Sequence, residues 1–159
     1  MPLAVTHILV PILLVAIFRD FYLRKLDKKN FPLHYVLIAG IGGALPDIDF
    51  IVSLLFKIAG ATDWYVHRTF THSLFFPLVF FILFLIILPM HKKVKICNLG
   101  KHKLKIDLIF LILAFGVVTH IILDSLFGGS AFFFYPFLMR DYGINLVNYL
   151  RDLLPALKD

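Results

Sequence analysis

Residues 106–127 read IDLIFLILAFGVVTHIILDSLF. After Asp107 this run is apolar as far as His120 and Asp124. As a helix rising about 1.5 Å per residue it covers roughly 33 Å, enough to cross a hydrocarbon core about 30 Å thick. It is too long and too continuous for a barrel strand, which alternates and is shorter. An ionisable group inside such a helix is costly and by default marks a functional site. His120 and Asp124 are four residues apart, so a helix puts them on one face with Cβ atoms about 5–6 Å apart. That spacing suits two ligands of one ion, or a ligand and the group that orients it.

The rest of the chain agrees with this reading. Of its 159 residues 60% are hydrophobic and only 16% charged, with a mean hydropathy of +0.90. A soluble globular domain needs no such excess, so the chain is expected to be an integral membrane protein of one domain, 1–159. The N-terminus lacks a basic stretch and a small-residue cleavage site, so the first apolar run is expected to stay. A single cysteine, Cys97, excludes an internal disulfide and a cysteine-based metal site. All ten acidic residues are aspartates.

Four apolar segments have the length of a crossing, or nearly so: about 2–18, 33–59, 74–90 and 106–127. The predicted fold is therefore all-α, a bundle of four transmembrane helices. In the outer tail, 128–159, Leu146, Tyr149, Leu150, Leu153 and Leu157 recur at helical intervals. They predict a further helix, lying on the membrane or packed on the bundle. Lys and Arg set the expected orientation. Eleven lie in the two loops following the first and third segments, and five elsewhere. The basic loops are expected in the cytoplasm, with both termini and the 60–73 loop outside. The net charge of +6 is thus read as facing lipid head groups rather than nucleic acid. His34, His91, His102, Asp20, Asp27 and Asp107 are read as interface residues of the cytoplasmic side, solvated or in contact with head groups. Trp64, Tyr65 and Phe132 to Tyr135 are read as outer interface anchors.

Two further stretches carry the remaining candidates: Pro46-Asp47-Ile48-Asp49, and His67-Arg68-Thr69-Phe70-Thr71-His72-Ser73. Helical rise places Asp47 and His120 each roughly 21 Å above the inner interface, and His7 at roughly 18 Å. His72 lies at the outer rim of the third segment and His67 just above it. Separate elements thus deliver imidazoles and carboxylates to one depth, where a cation would neutralise the carboxylates and engage the imidazoles. Asp47 and Asp49, two apart, diverge on a regular helix. Asp47 is favoured as the direct ligand, with Asp49 supporting it or serving a second ion. Pro11 and Pro46 remove backbone bonds to the carbonyls of His7 and Gly42. Gly40, Gly42 and Gly43 permit close helix approach.

In this order, His7, G-x-x-x-P-D-I-D at 42–49, H-R-x-x-T-H-S at 67–73, H-x-x-x-D at 120–124 and Tyr135-Pro136, the chain resembles the LexA-regulated inner-membrane metal-dependent hydrolases, the YdjM family, over about residues 4–137. The order also looks like a reduced form of the zinc-dependent phospholipase C and P1-type nuclease site. That resemblance implies His7, Asp47, His67, His120 and Asp124 as ligands, with His72 a ligand or proton shuttle. Those soluble enzymes use a free N-terminal residue and a second late His-x-x-x-acid pair, which this sequence lacks. One or two ions are therefore expected.

The expected chemistry is hydrolysis of a membrane-lipid phosphate ester, phosphatase- or phospholipase-C-like. The metal set is His7, Asp47, Asp49, His67, His72, His120 and Asp124. Zinc is the favoured ion, with manganese or magnesium as alternatives. Arg68 is expected to clamp a phosphate oxygen, and His72 or Asp49 to move the proton. The competing readings are a divalent-cation or proton transporter using the same cluster, which needs polar groups through the inner half, and a module in which a metal only ties the helices together. The oligomeric state stays open.

Overall fold

The structure is a computed structural model that describes residues 4–22, 31–60, 69–90, 95–99, 102–128, 132–138, 140 and 142–153. In chain order the elements are α1 (Ala4–Tyr22), α2 (His34–Ala44), α3 (Ile48–Ile58), α4 (Phe75–Ile87) with a 3-10 turn over Leu88–Met90, β1 (Lys95–Leu99), β2 (His102–Lys105), α5 (Ile106–Leu123) continued by a π-helical turn over Asp124–Gly128, and α6 (Leu146–Leu153). The architecture is helical, with α5 at its centre. Helix α5 packs against α2 and α4, and α1 lies against α2 and α5.

Exposure follows from the solvent these helices are built for. Val5, Leu9, Leu13, Ile17 and Phe21 on α1 are exposed, as are Leu78, Phe81, Ile82, Leu85 and Ile86 on α4. Such surfaces are a liability in water and natural in lipid. Two helices, Ala4–Phe21 and Ile106–Phe127, are long and apolar enough to cross a membrane, and the bent pair α2–α3 makes a third if it is one span. Helix α4 with its 3-10 turn, Phe75–Met90, is shorter than a full crossing. By length and composition the described residues therefore give two to three candidate spans of the expected four.

The second apolar segment is broken where its proline stands. Pro46 has no N–H to return to Gly42, and the chain tightens into i→i+3 bonds from Ile48 to Leu45, Asp49 to Pro46 and Phe50 to Asp47. The axis turns by 44° between α2 and α3. Beyond the turn, Asp49 is the only buried residue of α3.

Glycines set how closely α2 can approach its neighbours. A Cβ on Gly42 would lie 2.8 Å from the Leu113 carbonyl oxygen, and one on Gly116 would lie 2.6 Å from that of Ala39. Both are closer than real Cβ contacts, so α2 and α5 touch backbone to backbone here. On the other flank, a Cβ on Gly43 would run into the His7 carbonyl and Pro11. That carbonyl is the one Pro11 leaves without its helical donor. Small residues on α2 thus bring His7 and α5 within reach of each other.

Two sequence expectations need correction. The stretch following α4, read as a basic loop, contains an antiparallel hairpin pairing Lys95 with Lys105 and Leu99 with His102, with an irregularity between Ile96 and Asn98. Its alternation of Lys with Val, Ile and Leu, around Asn98-Leu99-Gly100, is a strand signal. The all-helical reading passed over it because the run is short and charged. Asp107, read as solvated or in contact with head groups, is buried in the first turn of α5, where the helix N-terminus favours a carboxylate.

Candidate metal centre

Four elements bring six of the expected residues to one end of the bundle. Helix α1 supplies His7, the α2–α3 break supplies Asp47 and Asp49, the turn before α4 supplies His72, and the end of α5 supplies His120 and Asp124. His7, Asp49, His72, His120 and Asp124 are buried. Asp47 is the open member, its side chain 33% exposed. His67 and Arg68 lie outside the described residues, as do Trp64 and Tyr65. Helix α4 begins at Phe75, and Thr71 to Leu74 are turns, so the described chain does not carry α4 back towards Arg68.

His120 sits at the centre. Its Nδ1 lies 2.6 Å from the Gly43 carbonyl oxygen. A carbonyl only accepts, so Nδ1 carries the hydrogen and Nε2 presents a lone pair. That lone pair faces His72 Nε2 at 3.2 Å, Asp47 Oδ1 at 3.7 Å and Asp124 Oδ2 at 3.7 Å. The His7 ring stacks on it with centroids 3.9 Å apart, and His7 Nε2 is 3.4 Å from Asp124 Oδ1.

His72 is held in a similar way by different groups. Thr71 Oγ1 donates to Asp49 Oδ2 at 2.5 Å. This leaves the threonine oxygen, at 3.1 Å, and Asp49 Oδ2, at 3.3 Å, to accept from His72 Nδ1. Its Nε2 therefore points into the cluster, 3.3 Å from Asp124 Oδ2. Asp124 lies between the two halves: Oδ1 faces His7 and Oδ2 faces His72 and His120.

Buried carboxylates and imidazole lone pairs that face one another repel unless a cation sits among them. Two groupings have donor atoms close enough to share an ion, His7–His120–Asp124 and Asp47–His72–His120, with donors within 4.8 Å of one another. Both use His120, whose one free nitrogen can serve a single ion at a time. His7 Nδ1 adds a buried atom without a hydrogen-bond partner. The donor set thus fits a divalent ion of nitrogen and oxygen preference.

The chain after α5 closes over this end. The Leu74 N–H donates to the Phe133 carbonyl at 2.9 Å, and the Ile144 and Asn145 N–H groups donate to the Ser125 carbonyl at 3.0 and 3.2 Å. Ser125 lies in the π-helical turn that follows Asp124. Such turns recur at functional sites.

Asp47 and Asp49 divide their contacts: Asp47 faces His120 and Asp49 holds His72. Sequence reasoning missed two contributors. Thr71 stands inside H-R-x-x-T-H-S, and its position beside His72 was the available signal. The Gly43 carbonyl had no signal, because a backbone acceptor is supplied by any residue and only the fold aims it.

Fold and site together define a class: a small helical membrane protein with a buried histidine–carboxylate cluster able to hold a metal ion. The sequence matches the family described as YdjM inner membrane protein over residues 1–157, and the chain belongs to that family. No curated protein and no solved structure matches it. The expected likeness to zinc-dependent phospholipase C is therefore not supported by any matched protein.

Proposed function

We propose that this protein is a metal-dependent hydrolase of a membrane-lipid phosphate ester. The observation that supports the reading is the lone pair of His120 Nε2, fixed by the Gly43 carbonyl at 2.6 Å and directed into a nest of carboxylates and imidazoles. Four crossings, with both termini and the cluster facing outward, accord with the lysine and arginine distribution and with α4 as a short fourth span.

In this scheme His7, His120 and Asp124 hold the ion, with Asp47 at its open side. Three protein ligands leave a position free, as catalytic sites require. When bound, a divalent ion, zinc by preference, supplies Lewis acidity towards a phosphoryl oxygen and a water. His72 moves the proton. Its Nε2 faces the cluster while Asp49 and Thr71 fix Nδ1, and the adjoining carboxylates stabilise its charged form. Arg68, one helical turn before His72 in sequence, is the phosphate clamp of the scheme. Asp49 acts through His72 as a positioning residue.

Transport is the weaker reading. It needs polar groups at successive depths. Among the described residues, the core beyond the cluster is built from Val15, Tyr35, Val36, Ala39, Leu104 and Ile112, with the buried carboxylate of Asp107 at the opposite end of α5 rather than at a depth between.

The test pairs elemental analysis of purified protein with phosphate release from a panel of lipid esters. His120→Ala should lose both bound metal and turnover. His72→Ala should keep the metal and lose about 10²–10⁴-fold in turnover, the usual worth of a positioned acid–base group. Full activity in either variant rejects the scheme, and metal flux into proteoliposomes without ester cleavage would favour transport.

A further inference from the structure

An apolar crease of about 370 Å³ lies between α4 and α5, lined by Leu74, Pro77, Leu78, Phe81, Ala114 and Val118 together with Leu111 and Phe115. Its upper end is at the cluster. Leu74 follows His72 and Ser73 directly, and Val118 precedes His120 by two residues. The two helices run antiparallel away from there, so the crease descends from the site towards the opposite end of the bundle. A second apolar groove, of about 540 Å³ and bounded by Leu14, Val15, Phe18 and Phe31 on one side and Leu108 and Ile112 on the other, shares Leu111 and Phe115 with it.

We propose that this crease holds the hydrocarbon chain of the lipid whose phosphate ester is presented to the cluster, and that the lipid enters sideways between α4 and α5. The chain-binding role rests on the lipid-ester reading above, and it adds the path and the residues that hold the chain. Three observations support it. The lining is apolar throughout, so it offers a head group nothing and a chain everything. From Leu74 to Phe81 it runs roughly 10 Å along α4, the length of a stretch of hydrocarbon chain, and it starts beside the cluster that would hold the phosphate ester. Finally, Leu74, Leu78, Phe81 and Phe115 each stay at least 41% exposed, so the crease opens to the bilayer along its length rather than to water.

The second groove extends the same surface. From Val118 to Leu108 along α5 is roughly 15 Å, half of a hydrocarbon core. A chain anchored at the cluster and following Phe115 and Leu111 thus has an apolar wall that runs past the middle of the bilayer and through its inner half.

Photolabelling tests this without requiring turnover. The protein, zinc-loaded, is placed in phosphatidylcholine vesicles containing a trace of phosphatidic acid with a diazirine midway along one acyl chain. Labelling should concentrate in 74–81 and 111–118, several-fold above Leu37, an exposed residue of α2 outside the crease. Unlabelled phosphatidic acid should compete and added phosphatidylcholine should not. Val118→Phe, which narrows the mouth, should lower the labelling several-fold. Leu78→Trp, on the exposed edge of the crease, should do the same if the first variant folds poorly. Labelling no stronger than at Leu37, or indifferent to the competitor or to both variants, overturns the proposal. Specific labelling in a protein that cleaves no ester would leave the crease standing and remove the hydrolase reading. Phosphate release without specific labelling would do the reverse.

Discussion

The two ends of the helix bundle both bury polar side chains, and they satisfy them in opposite ways. At the end holding Tyr35, side chains serve the backbone. The Tyr35 hydroxyl accepts from the Lys105 N–H at 2.7 Å, and Arg19 Nε donates to the Phe31 carbonyl at 3.0 Å. Each is a donor matched to an acceptor, and the buried carboxylate of this end, Asp107, stands in the first turn of α5, where the helix N-terminus favours it. At the other end the backbone serves the side chains: the Gly43 carbonyl fixes His120, and what remains on its far nitrogen is a lone pair among carboxylates. The first arrangement is complete in itself. The second carries more acceptors than protons, and a cation completes it. Buried polarity alone therefore does not mark a site; the sign of the mismatch does.

That contrast can be broken from either end. The largest effect among changes that leave every ligand in place is expected from Gly43→Ala. The new methyl would meet the His7 carbonyl and, at 2.7 Å, a Pro11 carbon. Overpacking costs about 1–3 kcal/mol, and with backbone on one side the upper part of that range is expected. Thermal unfolding in detergent would measure it, and metal content should fall with it because His7 and His120 are pushed apart. A variant as stable and as metal-replete as the parent would show that the close approach of α1 and α2 does not build the site.

Thr71→Val comes next. It removes the hydroxyl that joins Asp49 to His72 while leaving both charged partners and the metal ligands. Turnover should fall about tenfold, part of the 10²–10⁴ that a positioned acid–base group contributes. Metal content should hold, and Thr71→Ser should restore the rate. Loss of metal instead would make His72 a ligand rather than the proton carrier.

The smallest effect on the site belongs to the opposite end. Tyr35→Phe leaves the Lys105 N–H without its acceptor, at a cost of about 1–3 kcal/mol in stability. Bound metal and turnover should not change. If they do, the two ends are coupled through α2 or α5 and the division drawn here is too sharp.

Much of this was legible beforehand because depth in a membrane can be counted. Asp47 and His120 were placed at one height by residue number alone, and the structure has Asp47 Oδ1 3.7 Å from His120 Nε2. His7, on an oppositely directed helix, falls to the same level for the same reason. What counting could not supply was the share of work between neighbours. Asp47 and Asp49 differ by two residues, and only the break at Pro46 turns one towards His120 and the other towards His72 and Thr71. The hairpin between α4 and α5 escaped because four- and five-residue strands rich in lysine carry little periodic signal.

The sequence by itself determined the solvent, the helical character of the long apolar runs and the level at which charge is allowed to appear, because apolar length and helical rise are properties of a segment alone. The tertiary structure decided which nitrogen of His120 faces inward, which aspartate holds which histidine and where an apolar furrow meets the cluster. Those depend on backbone atoms of other helices, brought close by glycines whose neighbours no local pattern names.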